Sequence, residues 1–299
     1  MQAELPQIHD FRRSFLPHET ERVSSTALNA PVIEFWSRVA GGGEGSLAGL
    51  SIVIPAWNEE DRLARTLDRY IPALEARLEP FEVIVVVDGV RDGTAQVAAR
   101  FADRNVRVLR FPSKLGKGGA ILEGLRRARY EYVGYLDADG PISPDQVRDL
   151  VEDLKEVDCV VASRWIRGAS GVEAEPLFNR FAGRVWNLLV RSLLLLPLRD
   201  TQCGAKFFRR SVVAPMLRTV TLTNRAFDVD LLYHIRKTGA RLKEVPVAWT
   251  HNCDTRMPIG RAIPVMLMSL VGVRVMNLPI AKRVPRLWVR WFASEFGSS

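Results

Sequence analysis

From Leu50 onward short apolar runs alternate with amphipathic stretches, and no other feature constrains the fold as tightly. Residues 51–55, Ser-Ile-Val-Ile-Pro, read as a buried strand. Residues 59–78 carry Leu63, Leu67, Ile71 and Leu74 near helical spacing. Residues 81–87 are almost wholly apolar, as a strand covered on both faces must be. The pattern then predicts helix 94–102, strand 106–111, helix 118–130, strand 132–136, helix 144–155 and strand 158–162. This β-α-β order implies an α/β, Rossmann-like fold, a mostly parallel sheet with helices on both faces. Such sheets bind ligands beyond the carboxyl ends of their strands.

Polar loops fall at those ends. After the first strand come Trp57, Asn58, Glu59 and Glu60; after the second, Asp88-Gly89-Val90-Arg91-Asp92-Gly93-Thr94; after the third, Lys114 to Ala120; after the fourth, Asp137-Ala138-Asp139-Gly140. Asn58 and Glu59 suit hydrogen bonds to a ribose or base, and Asp88 suits a base N–H. Gly89 lets backbone approach a flat ring. Gly116-Lys117-Gly118-Gly119 opens a helix whose first amides and dipole favour an anion, with Lys117 adding a point charge. The spacing is not that of a P-loop. This loop reads as the end of a buried strand, so Asp137 and Asp139 are expected to project the same way. Paired carboxylates make half a coordination shell for Mg²⁺ or Mn²⁺.

The 299 residues suffice for one large domain or two small ones. A net charge of +8 points to anionic partners such as nucleotide phosphates or acidic lipid headgroups. Cys159, Cys203 and Cys253 are scattered, without zinc spacing or a disulfide framework. They fit a reducing, cytoplasmic setting. No secretory leader is recognisable at the N-terminus, and no stretch makes a clean membrane-spanning helix. Residues 1–45 read as an arm ending in a glycine-rich linker, 46–256 as a catalytic domain and 257–299 as a helical, membrane-facing extension. Residues 185–198 and 259–273 are apolar with basic flanks, and residues 282–292 interleave Lys and Arg with Trp and Phe. That composition suits an interfacial helix, the alternative being a helical pair that closes the domain. A basic aromatic tail also suits nucleic acid, but no recognition motif accompanies it, so no nucleic-acid partner is expected.

Taken together, these stretches resemble the family 2 glycosyltransferases of the GT-A fold. The nearest likeness is to the polyprenyl- and dolichyl-phosphate sugar transferases, and among them the dolichyl-phosphate β-glucosyltransferase branch. The resemblance runs from about Leu50 to about Arg256. It rests on Ile54-Pro55-Ala56-Trp57-Asn58-Glu59-Glu60, Asp88-Gly89 with Asp92-Gly93-Thr94, Gly116 to Ala120, and Asp137-Ala138-Asp139-Gly140, which looks like the family's DxD metal motif. Ser163-Arg164, Asp200-Thr201-Gln202-Cys203-Gly204-Ala205-Lys206, Phe227-Asp228-Val229-Asp230 and Glu244-Val245-Pro246-Val247 with Trp249 continue it. Val87, Val90 and Ala205 depart from the pattern and leave uracil or guanine as the base open.

The resemblance implies a metal-dependent, inverting transferase. Its expected substrates are a nucleotide diphosphate sugar, with glucose from UDP-glucose the first expectation, and a polyprenyl or dolichyl monophosphate. A soluble family 2 transferase acting on a polysaccharide or small acceptor, a nucleotidyltransferase, and a non-catalytic nucleotide- or lipid-binding protein are the alternatives. Asp139 is the expected metal ligand, with Asp137 on the metal's waters or the ribose. Pro55, Asn58, Glu59, Asp88, Gly89, Lys117 and Asp137 are the expected nucleotide-sugar contacts. Arg164, Lys206 and Arg256 are candidates to clamp the acceptor phosphate, which is already an anion and needs little help from a base. Asp228 suits a sugar hydroxyl, the metal's waters, or a base if the acceptor were an alcohol. Asp200 suits the same roles or ordering of the Arg/Lys cluster. Asp230, Cys203, His234 and His251 read as structural. The expected location is peripheral, on the cytoplasmic face of a membrane.

Overall fold

The computed structural model describes residues 49–250, except 77, 79, 90 and 172–175, together with residues 259–277. The expected arm and linker at 1–45, and Val90, His251, Cys253, Arg256 and the tail from 278, lie outside the described residues.

Seven strands form one sheet: β1 (Leu50–Ala56), β2 (Phe81–Asp88), β3 (Val106–Phe111), β4 (Tyr132–Leu136), β5 (Cys159–Ser163), β6 (Ala205–Arg209) and β7 (Leu242–Pro246). Their order is β3-β2-β1-β4-β6-β5-β7. All pairings are parallel except those of β6, which runs antiparallel to both β4 and β5. The helices are α1 (Glu60–Glu75), α2 (Thr94–Ala99), α3 (Gly116–Arg126), α4 (Pro144–Asp153), α5 (Leu177–Leu194), α6 (Arg210–Met216), α7 (Phe227–Lys237) and α8 (Ile259–Met276).

The first five strands stand where the apolar runs predict them, and β2 is buried along its whole length. Several helices are shorter than their periodicity suggests: α1 ends at Glu75 and α2 at Ala99. Helix α4 starts cleanly because Ser143 caps it, with Gln146 completing a capping box and Pro144 in its first turn. Strands β6 and β7 are additions that the patterning did not reveal. Each spans five residues with charges inside the run, so neither displays period two.

Two apolar cores sandwich the sheet. Ile52 and Ile54 of β1 pack with Leu63, Leu67 and Ile71 of α1 and Leu150 of α4. Val53 points the other way, into a core with Ile121 of α3, Val190 of α5, Leu231 of α7 and Val273 of α8. Strands β2 and β3 extend outward on one side of β1, while β4 lies on its other side. That reversal makes a topological switch point between β1 and β4, beyond whose carboxyl ends such sheets bind ligands. Among the described residues, no helix is long and apolar enough to cross a membrane.

Candidate active site

The loop after β4 is a turn and not a continued strand. Strand β4 stops at Leu136. The Gly140 amide then donates to the Asp137 carbonyl at 3.0 Å. Gly140 has φ +58°, a left-handed conformation that glycine adopts readily. Strand alternation therefore does not set the directions of Asp137 and Asp139, which corrects the expectation that they share one strand face. Rigidity comes instead from α1. Thr66 Oγ1 donates to the Ala138 carbonyl at 2.8 Å, and Arg69 Nη2 donates to the Ile142 carbonyl at 3.1 Å and to that of Gly140. The Tyr70 hydroxyl also donates to Ile142. Burial pushes the Tyr70 phenol up to about 12, and the negative charge of Asp139 adds to the effect. These three polar residues of α1 escaped sequence reasoning. Their spacing, i, i+3 and i+4 beside the apolar stripe, was the available signal.

Asp137 and Asp139 have different surroundings. Lys117 Nζ sits 2.7 Å from Asp137 Oδ1. The Asp137 amide donates to the Gly204 carbonyl at 3.1 Å. A Cβ at Gly204 would stand 2.1 Å from Asp137 Oδ2, so only glycine leaves the carboxylate its place. Asp139 is half-buried at the turn's tip. Two hard oxygen donors on a braced turn fit Mg²⁺ or Mn²⁺. Among the described residues no group of three or more His, Cys, Asp or Glu could enclose an ion. Water or diphosphate oxygens would complete the shell of an ion held there, as is usual for Mg²⁺.

The start of α3 is not an open anion site. Asp88 is buried, and its carboxylate accepts from the amides of Leu115 and, at 3.0 Å, Gly116. The Gly119 amide donates to the Thr223 carbonyl at 3.1 Å. Asp88 is therefore the anion on this helix start, and its expected role on a base is corrected. Burial raises its pKa despite those amides and nearby Lys114. Gly89 has φ +59° and donates its amide to Phe111 at 3.0 Å, so its freedom serves the turn. Lys117 reaches Asp137, not a helix-bound anion.

Pro55 lies within β1, opposite Val86. Asn58, at φ +55°, accepts from the Arg91 amide at 3.1 Å and so ties the first loop to the second. The Glu59 carboxylate is gripped by Arg62, with Nη2 to Oε1 at 2.8 Å. Residues 58–62 and 91–92 line a polar cavity of about 270 Å³. At its edge Trp57 is 45% exposed, with Lys114 Nζ 4.3 Å from its ring centroid.

The later motifs prove to be buried pairs. Asp200 has no exposed surface; it accepts from the Arg164 amide at 3.0 Å and from Arg164 Nε at 2.8 Å. Burial alone would raise its pKa, but Arg164 and these hydrogen bonds hold it below the ordinary range. Arg164 lies over the rings of Trp249 and Trp165, at 5.0 and 5.8 Å. Asp200 thus orders a cation, one of its expected roles. Lys206 is fully buried, with Nζ 2.7 Å from the Cys203 carbonyl and 3.1 Å from Asp228 Oδ2. The Tyr135 hydroxyl donates to the other Asp228 oxygen, and burial followed by that carboxylate's charge drives the phenol's pKa well up. A lysine sealed in this way cannot clamp an acceptor phosphate. Asp228, 2% exposed, is likewise placed under the rim and not on it. Asp230 is structural as expected, but it accepts from the Thr221 and Leu222 amides at 2.8 and 3.2 Å and pairs with His234, not with Arg or Lys. Cys203 is buried, its thiol pushed up to about 12 by burial.

Sheet order, topological switch point and braced acid turn define a GT-A-type glycosyltransferase. The sequence profile of glycosyl transferase family 2 matches residues 51–216. The chain is 30% identical over 239 residues to the dolichyl-phosphate beta-glucosyltransferase ALG5C of Trichomonas vaginalis, covering 75% of this chain and 70% of that one. It is 31% identical over 241 residues to the dolichyl-phosphate beta-glucosyltransferase of Dictyostelium discoideum, covering 75% and 73%. Glucosyl-3-phosphoglycerate synthase from Mycobacterium tuberculosis, solved with Mn²⁺, UDP and glucosyl-3-phosphoglycerate, superposes with a TM-score of 0.56 at 20% identity, over 79% of this chain and 81% of that one. The chain belongs to glycosyl transferase family 2.

Proposed function

We propose that this enzyme transfers glucose from UDP-glucose to a polyprenyl or dolichyl monophosphate, inverting the anomeric centre. One observation carries the choice of acceptor. The two carboxylates considered for catalysis outside the acid turn are both engaged: Asp200 by Arg164, and Asp228 by Lys206 and Tyr135. An alcohol acceptor needs a base to take its proton, whereas a phosphate monoester is already ionised and attacks unaided. The names of the two relatives support the same acceptor and sugar.

In this reading the donor's diphosphate lies over the acid turn, with the base between the loops at 57–59 and 88–94. Asn58 and Arg91 hold those two loops together, so the base meets a fixed edge. Asp139, with Asp137 behind it, would hold a Mg²⁺ or Mn²⁺ ion that acts as a Lewis acid towards the departing diphosphate. Lys117 neutralises Asp137 in the free enzyme and stands beside the leaving group's charge when the donor is bound. Gly204 keeps room for that carboxylate. Attack from the face opposite the diphosphate turns an α-linked donor into a β-linked lipid product.

The acceptor's chain belongs in a bilayer, and the exposed apolar residues of α5 face that need: Phe178, Phe181 and Leu188 are 64, 67 and 62% exposed. We place the enzyme peripherally on the cytoplasmic face. The deciding experiment is turnover across UDP- and GDP-sugars, with a short polyprenyl phosphate and with a soluble alcohol acceptor. UDP-glucose with the lipid phosphate is the expected pair. Transfer only to the alcohol would refute the acceptor, and preference for a GDP-sugar would refute the donor.

A further inference from the structure

The phosphate clamp expected from sequence leaves a vacancy in the account of the acceptor, because Lys206 is sealed and Arg164 is committed to Asp200. A second cavity, of about 210 Å³, supplies other cations. It is lined by Trp165, Arg184, Asn187, Leu188, Arg191 and Arg199. Arg184, Leu188 and Arg191 recur at i, i+4 and i+7 on α5, which sets them on one face. Trp165 follows β5 and Arg199 precedes β6. Since β5 and β4 both run antiparallel to β6, these residues share the sheet edge of Asp137. Two strand spacings separate β5 from β4, about 10 Å.

The cavity is cationic. Among the described residues, no carboxylate pairs with the side chains of Arg184, Arg191 or Arg199; Arg184 lies 5.1 Å from the Trp165 ring centroid. Trp165 Nε1 is a buried donor with no acceptor among the described residues. Asn187, by contrast, is used internally, accepting from the Thr201 amide and hydroxyl at 2.9 Å each. Beside this basic stripe α5 carries an apolar one, Phe178, Phe181, Val185 and Leu188, each at least 39% exposed. Leu188 belongs to both.

We propose that this cavity is a phosphate-monoester site, occupied by the head of a lipid monophosphate whose chain lies along the apolar stripe of α5. The inference rests on the acceptor reading above and gives it a location. Three guanidinium forks match a phosphate group's geometry. A monoester carries about −1.5 to −2 charges at neutral pH, which answers three cations better than a phosphodiester's single charge.

The test uses the full chain and neutral phosphatidylcholine vesicles doped with a short polyprenyl monophosphate. Matched vesicles carry phosphatidylglycerol at equal total charge. The wild type is expected to bind the monophosphate vesicles about tenfold more tightly than the phosphodiester ones, and Arg191→Gln/Arg199→Gln to lose that preference. In turnover the same double variant is expected to raise KM for the lipid phosphate about tenfold with KM for the donor unchanged. Phe181→Gln/Leu188→Gln should weaken binding of the long-chain lipid but not of a monophosphate with a very short chain. Equal binding of both vesicle types, or a double variant that keeps the wild-type preference, overturns the site. If the wild type glucosylates no lipid phosphate yet keeps an arginine-dependent preference for monophosphate vesicles, the acceptor reading falls and the site stands.

Discussion

Lys206, Asp228 and Tyr135 show what single residues do beneath the rim. A fully buried ammonium beside a carboxylate is held by geometry and by the hydrogen bonds around it, and loss of one partner leaves the other charge uncompensated. Lys206→Met should therefore cost about 3–5 kcal/mol in urea unfolding. The double change Lys206→Met/Asp228→Leu should recover much of that; a double variant no more stable than the single would contradict the pairing. Gly204→Ala acts differently. Its Cβ would displace the Asp137 carboxylate, so kcat should fall about a hundredfold while the thermal midpoint moves little. An unchanged kcat would remove Asp137 from the site. At this scale the sequence reveals the charged residues but not their burial. Asp228 and Lys206 are 22 positions apart, and nothing in either motif says that they meet. The acid turn is legible as a motif, whereas its bracing by Thr66, Arg69 and Tyr70 depends on where α1 crosses it.

At the scale of elements, α7 carries its own test. His234 Nδ1 lies 3.1 Å from Asp230 Oδ1, and that contact raises the imidazole's pKa against the opposing effects of burial and Lys237. A raised folded pKa means the pair's contribution is complete below the unfolded value of about 6.5 and fades as pH climbs through the folded value. His234→Gln should therefore destabilise the enzyme more at low pH than at high pH; an equal loss at both would show that the histidine is not protonated in the fold. The apolar runs reveal β1 to β5. Strand β6 reads instead as part of a polar motif, because Lys206 interrupts it, and only the fold shows that this lysine is turned into the core. The Gly-Lys-Gly-Gly start of α3 reads as an anion site because a helix's free amides favour any anion. The anion there is Asp88, brought from β2 by parallel pairing, and Asp88→Ala should lower stability through those amides more than it weakens donor binding.

For the molecule as a whole, charge and exposed apolar surface act together. The chain carries +8 at neutral pH, and α5 sets arginines beside exposed phenylalanines and leucines. Binding to anionic vesicles should weaken as salt rises, and vesicle flotation should drop on deletion of residues 282–299; flotation insensitive to both would count against a membrane-facing role. The α/β class and the sheet edge that carries the polar loops are visible in the order of runs and loops. The cavity proposed for the lipid phosphate is not, because its cations come from α5 and from the segment before β6, and nothing in their spacing joins them to Trp165.

In the proposed reaction the acid turn holds an ion for the leaving diphosphate while a lipid phosphate attacks. Glucosyl transfer from UDP-glucose to a polyprenyl phosphate, measured across a Mn²⁺ titration for the wild type and Asp139→Asn, decides whether it does. The expected results are saturable dependence on the ion, loss of transfer with chelator, and a fall of at least about a hundredfold in Asp139→Asn at every Mn²⁺ concentration. Full transfer in the presence of chelator, or an Asp139→Asn enzyme as fast as the wild type, would contradict it.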